Sequence, residues 1–344
     1  MPTALSISRV SALSFKAVDM DTVRIGLVGA GGMGKVHYAN IKELDGAEVV
    51  AVVGKSERVR NTAKEWGIPC YDTVTDMVNG TELDIIDVCT PTYNHHDAVI
   101  EALHCGKDTI CEKPVALSYA DAEEMFNEAE KNGVHLYIAQ VLQFTKEVEI
   151  LHKIVESGEL GKPLDAVFER LSACPGWTAD GWLFDEKKSG LLYYDLHIHD
   201  LDVIVSVFGE PDDFTITSCR GEGKSYPEQI RLDYNYGGNH VIGEAAWFNA
   251  PIPWTARWRV YFENGMLIND EHGLIMYRFG SDPVTFDTSD EVMVSTGINV
   301  PPCGWYYNEL KEFVRCHREG IDCERVGREQ LLTVMKLLEE MKRK

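Results

Sequence analysis

The 344-residue chain lacks any run of the roughly 18 apolar residues that a membrane-spanning helix requires. It also lacks a cluster of cations. Lys and Arg number 33 against 55 Asp and Glu, for a formal charge of −22. Nucleic-acid binding rests on cations meeting phosphates, so neither nucleic acid nor membrane is expected as a partner. No Cys-x-x-Cys pair occurs among the nine cysteines, and their number is odd. Several, Cys89 and Cys111 among them, fall inside apolar strand patterns. That usage suits reduced, buried thiols of a cytoplasmic protein and offers no disulfide framework or zinc site. Internal repeats and low-complexity tracts are absent. Residues 1–22 are Ser-rich, with no acid before Asp19, and lack the apolar core of a secretory signal. They are expected to form a flexible extension.

What is present is a soluble, globular composition, with 44% hydrophobic and 26% charged residues. The length suits two domains. The most informative stretch is Val23-Arg24-Ile25-Gly26-Leu27-Val28-Gly29-Ala30-Gly31-Gly32-Met33-Gly34. An apolar strand turns on glycines into a helix, the Gly-x-Gly-x-x-Gly dinucleotide fingerprint in its structural context. Gly29 takes the tight turn, Gly31 leaves room for a pyrophosphate, and Gly34 allows close helix–strand packing. The helix then aims its free N–H groups at the phosphate.

Strand and helix patterns alternate from 23 to 143. Strands are expected at 23–28, 48–53, 83–89, 108–111 and 134–139, with helices at 33–44, 58–65, 96–105 and 119–131. That alternation implies a parallel sheet covered on both faces, with ligands bound at the strands' carboxyl ends. After residue 143 the pattern changes. Helices are expected at 146–157, 190–208 and 328–342, and several aromatic and β-branched strands between 214 and 276. Residues 144–344 are thus expected to form an α+β domain on a mostly antiparallel sheet.

Cys111-Glu112-Lys113-Pro114 and Asp195-x-x-x-His199 complete the pattern. With the glycine turn they resemble the glucose–fructose oxidoreductase / inositol dehydrogenase / rhizopine catabolism family, over residues 23–344. The resemblance implies a Rossmann domain and a second α+β domain with an open sheet. It also implies hydride transfer between NAD(P) and a hydroxyl carbon of a sugar, cyclitol or related polyol, in a homodimer or homotetramer joined through that sheet. Gly29, Gly31, Gly32, Met33 and Gly34 match the cofactor turn. Thr90, Pro91 and His95 match a Thr-Pro and a nearby histidine beside the cofactor. Glu112, Lys113 and Pro114 match a Glu-Lys-Pro signature whose lysine enters the active site, and Asp195 and His199 match the substrate-side acid and catalytic histidine.

Two departures stand out. Many members carry an acid after the second strand; here Gly54 is followed by Lys55, Ser56 and Arg58. A cation and a hydroxyl suit a 2′-phosphate, so NADP is favoured and NAD remains the alternative. Leu191 replaces a glycine common before the catalytic helix.

Oxidising an alcohol sends a hydride from carbon and a proton from oxygen. Histidine titrates near neutrality, so His199 is the expected general acid/base. Asp195, four residues earlier, shares its helix face and orients His199 or substrate, with Asp202 continuing that face. Lys113 stabilises the developing alkoxide. Pro114 is a candidate for a cis bond that aims Lys113 inward. Gln140 and Tyr194 are further substrate-side candidates, Gln140 also beside the cofactor, and Tyr193, Trp177 and Trp182 are possible lining. His197 and His199 lie about 200° apart on a helix and cannot converge on one metal ion. Two rivals remain: reduction of another carbonyl or imine, and a non-catalytic NAD(P)-sensing regulator of the same fold.

Overall fold

The computed structural model describes residues 22–176, 178–295, 297 and 301–344. The expected N-terminal extension, apart from Thr22, and Trp177 lie outside the described residues.

Six strands form the first sheet: β1 (Val23–Val28), β2 (Ala47–Val53), β3 (Cys70–Tyr71), β4 (Ile85–Val88), β5 (Asp108–Glu112) and β6 (Leu136–Ala139). All pair in parallel, in the spatial order β3-β2-β1-β4-β5-β6. That order is the Rossmann arrangement, with its crossover beside β1. Every residue of β4 is buried, as a parallel strand covered on both faces must be. The helices are α1 (Gly32–Ile41), α2 (Glu57–Trp66), α3 (Val74–Gly80), α4 (His95–His104) and α5 (Tyr119–Asn132). Ser56, Thr73 and Ser118 accept N–H groups at the starts of α2, α3 and α5. Gly67 and Gly133 end α2 and α5 in the left-handed conformation. Short β3 and α3 were not among the expected elements.

Past α6 (Lys146–Ser157) the second sheet begins. Its strands are β7 (Pro163–Ala173), β8 (Asp213–Cys219), β9 (Gln229–Tyr236), β10 (Asn239–Phe248), β11 (Thr255–Phe262), β12 (Gly265–Asp270), β13 (Gly273–Arg278) and β14 (Val284–Thr285). They lie in the order β14-β13-β12-β11-β7-β10-β9-β8, and only β7 and β10 pair in parallel. Along β7 the residues alternate. Ala166, Phe168 and Arg170 are buried, while Val167, Glu169 and Leu171 lie on the more open face. Helix α7 (Glu186–Ser189) and helix α8 (Ile198–Phe208) follow β7.

The chain then returns to the first sheet. Helix α9 (Trp305–Glu319), unforeseen in the sequence, lies against α1 and β6. Phe313 stacks on Tyr137 of β6, and His317 Nδ1 lies 2.6 Å from Asp108 Oδ2 at the start of β5. Helix α10 (Arg328–Arg343) packs on α5 and α8. Helices α9 and α10 thus clasp both halves of the molecule, and they bring side chains of the C-terminal segment under the site.

Candidate active site

The glycine turn is built as its sequence requires. Gly29 has φ +93°, and its N–H bonds the Val53 carbonyl at 3.0 Å. A Cβ on Gly34 would lie 2.1 Å from the Gly29 carbonyl oxygen, so only glycine lets α1 approach β1. A Cβ on Gly31 would meet nothing within 4 Å, which leaves open space at the helix N-terminus. Gly32 and Met33 open α1 there. Two polar atoms at the strand ends, Thr90 Oγ1 and Gln140 Oε1, are buried without partners among the described residues. Such atoms need a partner. Together these features fit a dinucleotide along the carboxyl ends of the strands.

At the end of β2, a side chain on Gly54 would collide with Val59 at 2.5 Å. The missing acid therefore has no room. Lys55, Ser56 and Arg58 are exposed, and Ser56 caps α2. His95, expected beside the cofactor, is engaged within the protein. It is buried, with its Nδ1 2.7 Å from the Pro114 carbonyl and its Nε2 2.9 Å from the Thr90 carbonyl. It joins the loop of Thr90 and Pro91 to the Lys113–Pro114 loop. Burial lowers its pKa, against the pull of those carbonyls.

The Lys113–Pro114 peptide is cis. Lys113 Nζ donates to the Asp195 backbone carbonyl at 2.8 Å and to its Oδ1 at 3.3 Å. This contact crosses 82 residues and joins the two sheets' halves of the molecule. Asp195 lies in a π-helical turn, Tyr193–His197, that precedes α8. Such turns recur at functional sites because the extra residue re-aims side chains. Two left-handed residues set it up, Gly190 (φ +71°) and Leu191 (φ +62°). The glycine common at the position of Leu191 would adopt that conformation freely; leucine adopts it at a cost of about 1–2 kcal/mol.

His199 stands one turn beyond Asp195. Its Nδ1 is buried and has no partner among the described residues. Burial first, then the positive charges of Lys113 and Arg170, hold its pKa well below the usual imidazole value. It is therefore a neutral base at physiological pH. Arg170 reaches this region from β7 and forms a buried two-pronged bridge to Asp200, at 2.7 and 3.0 Å. The sequence reading passed over Arg170. Its signal was a cation in the buried register of a strand, after Ala166 and Phe168.

Other candidates face elsewhere. Tyr194 is fully buried, its hydroxyl lacks a partner among the described residues, and Lys342 sits 4.2 Å above its ring. Asp202 accepts from Gln143 and Gln330 at 2.7 Å each and lies wholly buried between elements, so it does not extend the face of His199. His197 Nε2 meets the Tyr234 hydroxyl at 2.5 Å, turned toward the sheet. Burial, then Arg170, lowers its pKa to about 3. Glu112 turns away from the strand ends toward His37, at 3.1 Å. Trp182 contacts Tyr93 edge-on at 6.1 Å, so its loop touches the Rossmann loop that follows Pro91.

Comparison with known proteins decides the family. Residues 23–140 match the model described as "Oxidoreductase family, NAD-binding Rossmann fold", and residues 148–268 match "GFO/IDH/MocA C-terminal domain". The chain belongs to the GFO/IDH/MocA oxidoreductase family. It is similar to 2,7-anhydro-N-acetylneuraminate hydratase of Mediterraneibacter gnavus, at 32% identity over 204 residues, 58% of this chain and 53% of that one. It is also similar to myo-inositol 2-dehydrogenase of Thermotoga maritima, at 30% over 190 residues, 55% of each. The chain spans about half the length of these curated relatives. Aldose-aldose oxidoreductase of Caulobacter crescentus, solved with glycerol, shares the fold with a TM-score of 0.80 at 20% identity, over 94% of this chain and 97% of that one. Among the described residues of this GFO/IDH/MocA member, no helix is long and apolar enough to cross a membrane.

Proposed function

We propose that the protein is an NAD(P)-dependent oxidoreductase of a sugar, cyclitol or related polyol. The observation that carries this reading is the Lys113–Asp195 contact, beside a neutral histidine one turn on and at the strand ends where the glycine turn lies. The nicotinamide cofactor, when bound, accepts or supplies the hydride. Gly29, Gly31, Gly32, Met33 and Gly34 would hold its pyrophosphate, with Thr90, Pro91 and Gln140 alongside.

The chain's own groups move the proton. An ammonium has three hydrogens. Lys113 uses two of them on Asp195, which leaves one for a substrate oxygen and aims it. Its positive charge favours the alkoxide that forms as the proton departs. Neutral His199 takes that proton, and returns it when a carbonyl is reduced. Asp195 holds Lys113 in place and offers its carboxylate to a neighbouring hydroxyl. Relatives named for inositol and aldoses support a polyol substrate. A relative named as a hydratase supports a wider range of net reactions.

For the cofactor we favour NADP, because Lys55 and Arg58 are exposed cations beside a Gly54 that admits no acid. The open face of the second sheet supports a homodimer or homotetramer. Tyr261, Met266 and Tyr277 lie side by side across it, as do Val167, Arg259, Ile268 and Ile275.

The test is turnover of both dinucleotides, followed by nicotinamide absorbance, across a polyol panel. Wild type is expected to turn over a polyol, and Lys113→Met and His199→Asn to lose about 100-fold or more while still binding cofactor. Lys55→Asp is expected to weaken NADP more than NAD. Full turnover by both site variants refutes the assigned roles.

A further inference from the structure

His37 of α1 is wholly buried, yet both its ring nitrogens face carboxylates. Nδ1 lies 2.8 Å from Asp87 Oδ2 on β4, and Nε2 lies 3.1 Å from Glu112 Oε1 on β5. The other oxygen of Glu112, Oε2, accepts the backbone N–H of Lys113 at 2.9 Å. Lys113 Nζ then meets Asp195. One chain of polar contacts therefore runs from the centre of the Rossmann sheet to the π-helical turn of the second domain.

We propose that His37 is a positioning residue for Lys113: it holds the Glu112 carboxylate, which holds the Lys113 backbone and so aims the ammonium at Asp195 and the substrate oxygen. The proposal rests on the reading of Lys113 as the residue at that oxygen.

The charges support it. An imidazole between two carboxylate acceptors carries hydrogen on both nitrogens and is a cation. Burial, the largest single influence, would discharge His37, but the Asp87 carboxylate and Cys89, with their hydrogen bonds, together hold the pKa well above its usual value. Burial opposes the Glu112 charge too, yet His37 and then Lys113 keep that carboxyl below its usual range.

The surrounding groups add no further charge. Cys89 donates to Asp87 Oδ1 at 3.5 Å, and burial pushes both Cys89 and Cys111 up, so they stay thiols. Burial also lowers the pKa of His95, against the pull of its two carbonyl neighbours. From α9, Tyr306 and Glu309 face the same cluster. Burial, then the Glu112 charge, holds Glu309 far above a carboxylate's usual value, and both its oxygens are buried without partners among the described residues. Burial therefore favours the neutral form of Glu309 beside the cluster. A third negative charge would pull His37 away from Glu112. His37, Asp87 and Cys89 also offer metal donors within 4.8 Å of one another. The proton between His37 and Asp87 already stands where a cation would.

The test uses the full chain with three variants: His37→Gln, the double variant His37→Gln/Asp87→Asn, and Glu309→Gln. If His37→Gln fails to fold, the double variant carries the test, because it removes a negative charge together with the positive one. Three readouts apply: kcat and KM, the rate of reductive methylation of Lys113 by mass spectrometry, and the 15N signal of His37. In wild type, His37 is expected to show an imidazolium signal through pH 8, and Lys113 slow methylation. A folded His37 variant is expected to lose about 10- to 100-fold in kcat, with KM for the dinucleotide within about twofold. Its Lys113 is expected to be methylated several-fold faster. Glu309→Gln, a neutral match for the acid, is expected to change none of the three.

Wild-type kcat and slow Lys113 methylation in a folded His37 variant would overturn the proposal. So would a neutral His37 at pH 7, or loss of the imidazolium in Glu309→Gln. Methylation and the 15N signal need no turnover. A protein with both as expected but with no hydride transfer would refute the proposed reaction and leave the positioning role standing.

Discussion

Asp202 gives a quantitative test of how the two halves of the molecule are joined. Its carboxylate is wholly buried where α8 meets the 141–144 turn and α10, and its bonds come from Gln143 and Gln330 at 2.7 Å each. Neither partner carries charge. Burial therefore dominates, against those two hydrogen bonds, and raises the pKa from 3.8 to about 7. The folded protein thus binds this proton more tightly than the unfolded chain does. The stabilisation is complete below pH 3.8 and is lost as pH rises to about 7. At ~1.4 kcal/mol per pH unit, that interval amounts to about 4 kcal/mol. Asp202→Asn stays neutral at every pH. It gives up part of the hydrogen-bond geometry, which costs about 1 kcal/mol. Urea unfolding is expected to show the variant about 3 kcal/mol more stable than wild type at pH 8, and equal or slightly less stable at pH 4. A stability difference that is the same at both pH values would refute the reasoning, because it would mean that Asp202 does not change ionisation on folding in this range.

Three further outcomes follow from particular positions. Gly31→Ala places its Cβ in open space, so its unfolding is expected to match wild type, while dinucleotide affinity measured by calorimetry falls tenfold or more. Gly190→Ala sets a Cβ 2.4 Å from the Tyr194 ring at φ +71°. It is expected to cost about 2–4 kcal/mol in urea unfolding, from overpacking and the left-handed backbone together. His199 is held below the ordinary imidazole range by burial first and by Lys113 next. Polyol oxidation is therefore expected to stay flat as pH falls through 6, and the acid limb of the residual rate in Lys113→Met to move upward.

The nucleotide half was legible because its strands announce themselves. Val23–Val28 is an apolar run ended by glycines, and it appears at those residues. The alternation of strand and helix likewise implied a parallel sheet, which the structure shows, but neither the short β3 nor the spatial order of the strands could be read from it. Lys113 before Pro114 and Asp195 four positions before His199 could be singled out from nearby residues, and the structure brings Lys113 onto Asp195. The site was hidden where a role depends on contacts distant in the chain. His95 and Glu112 were read as cofactor neighbours; their contacts within the protein, with Pro114, Thr90 and His37, are ones that spacing alone does not reveal. Tyr194 sits at the right end of its helix, but the π-helical turn directs its ring under Lys342. Helix α9 went unread although Tyr306, Leu310, Phe313 and Val314 mark its buried face. Leu191 was noted as a departure, and the structure gives its meaning as a left-handed residue.

The most direct test is a structure of the protein with its dinucleotide and a turned-over polyol. One substrate oxygen is expected within about 2.6–3.2 Å of both the Lys113 ammonium and the His199 imidazole, with its carbon facing the nicotinamide. A polyol seated at the nicotinamide with neither group in reach of that oxygen would contradict the account.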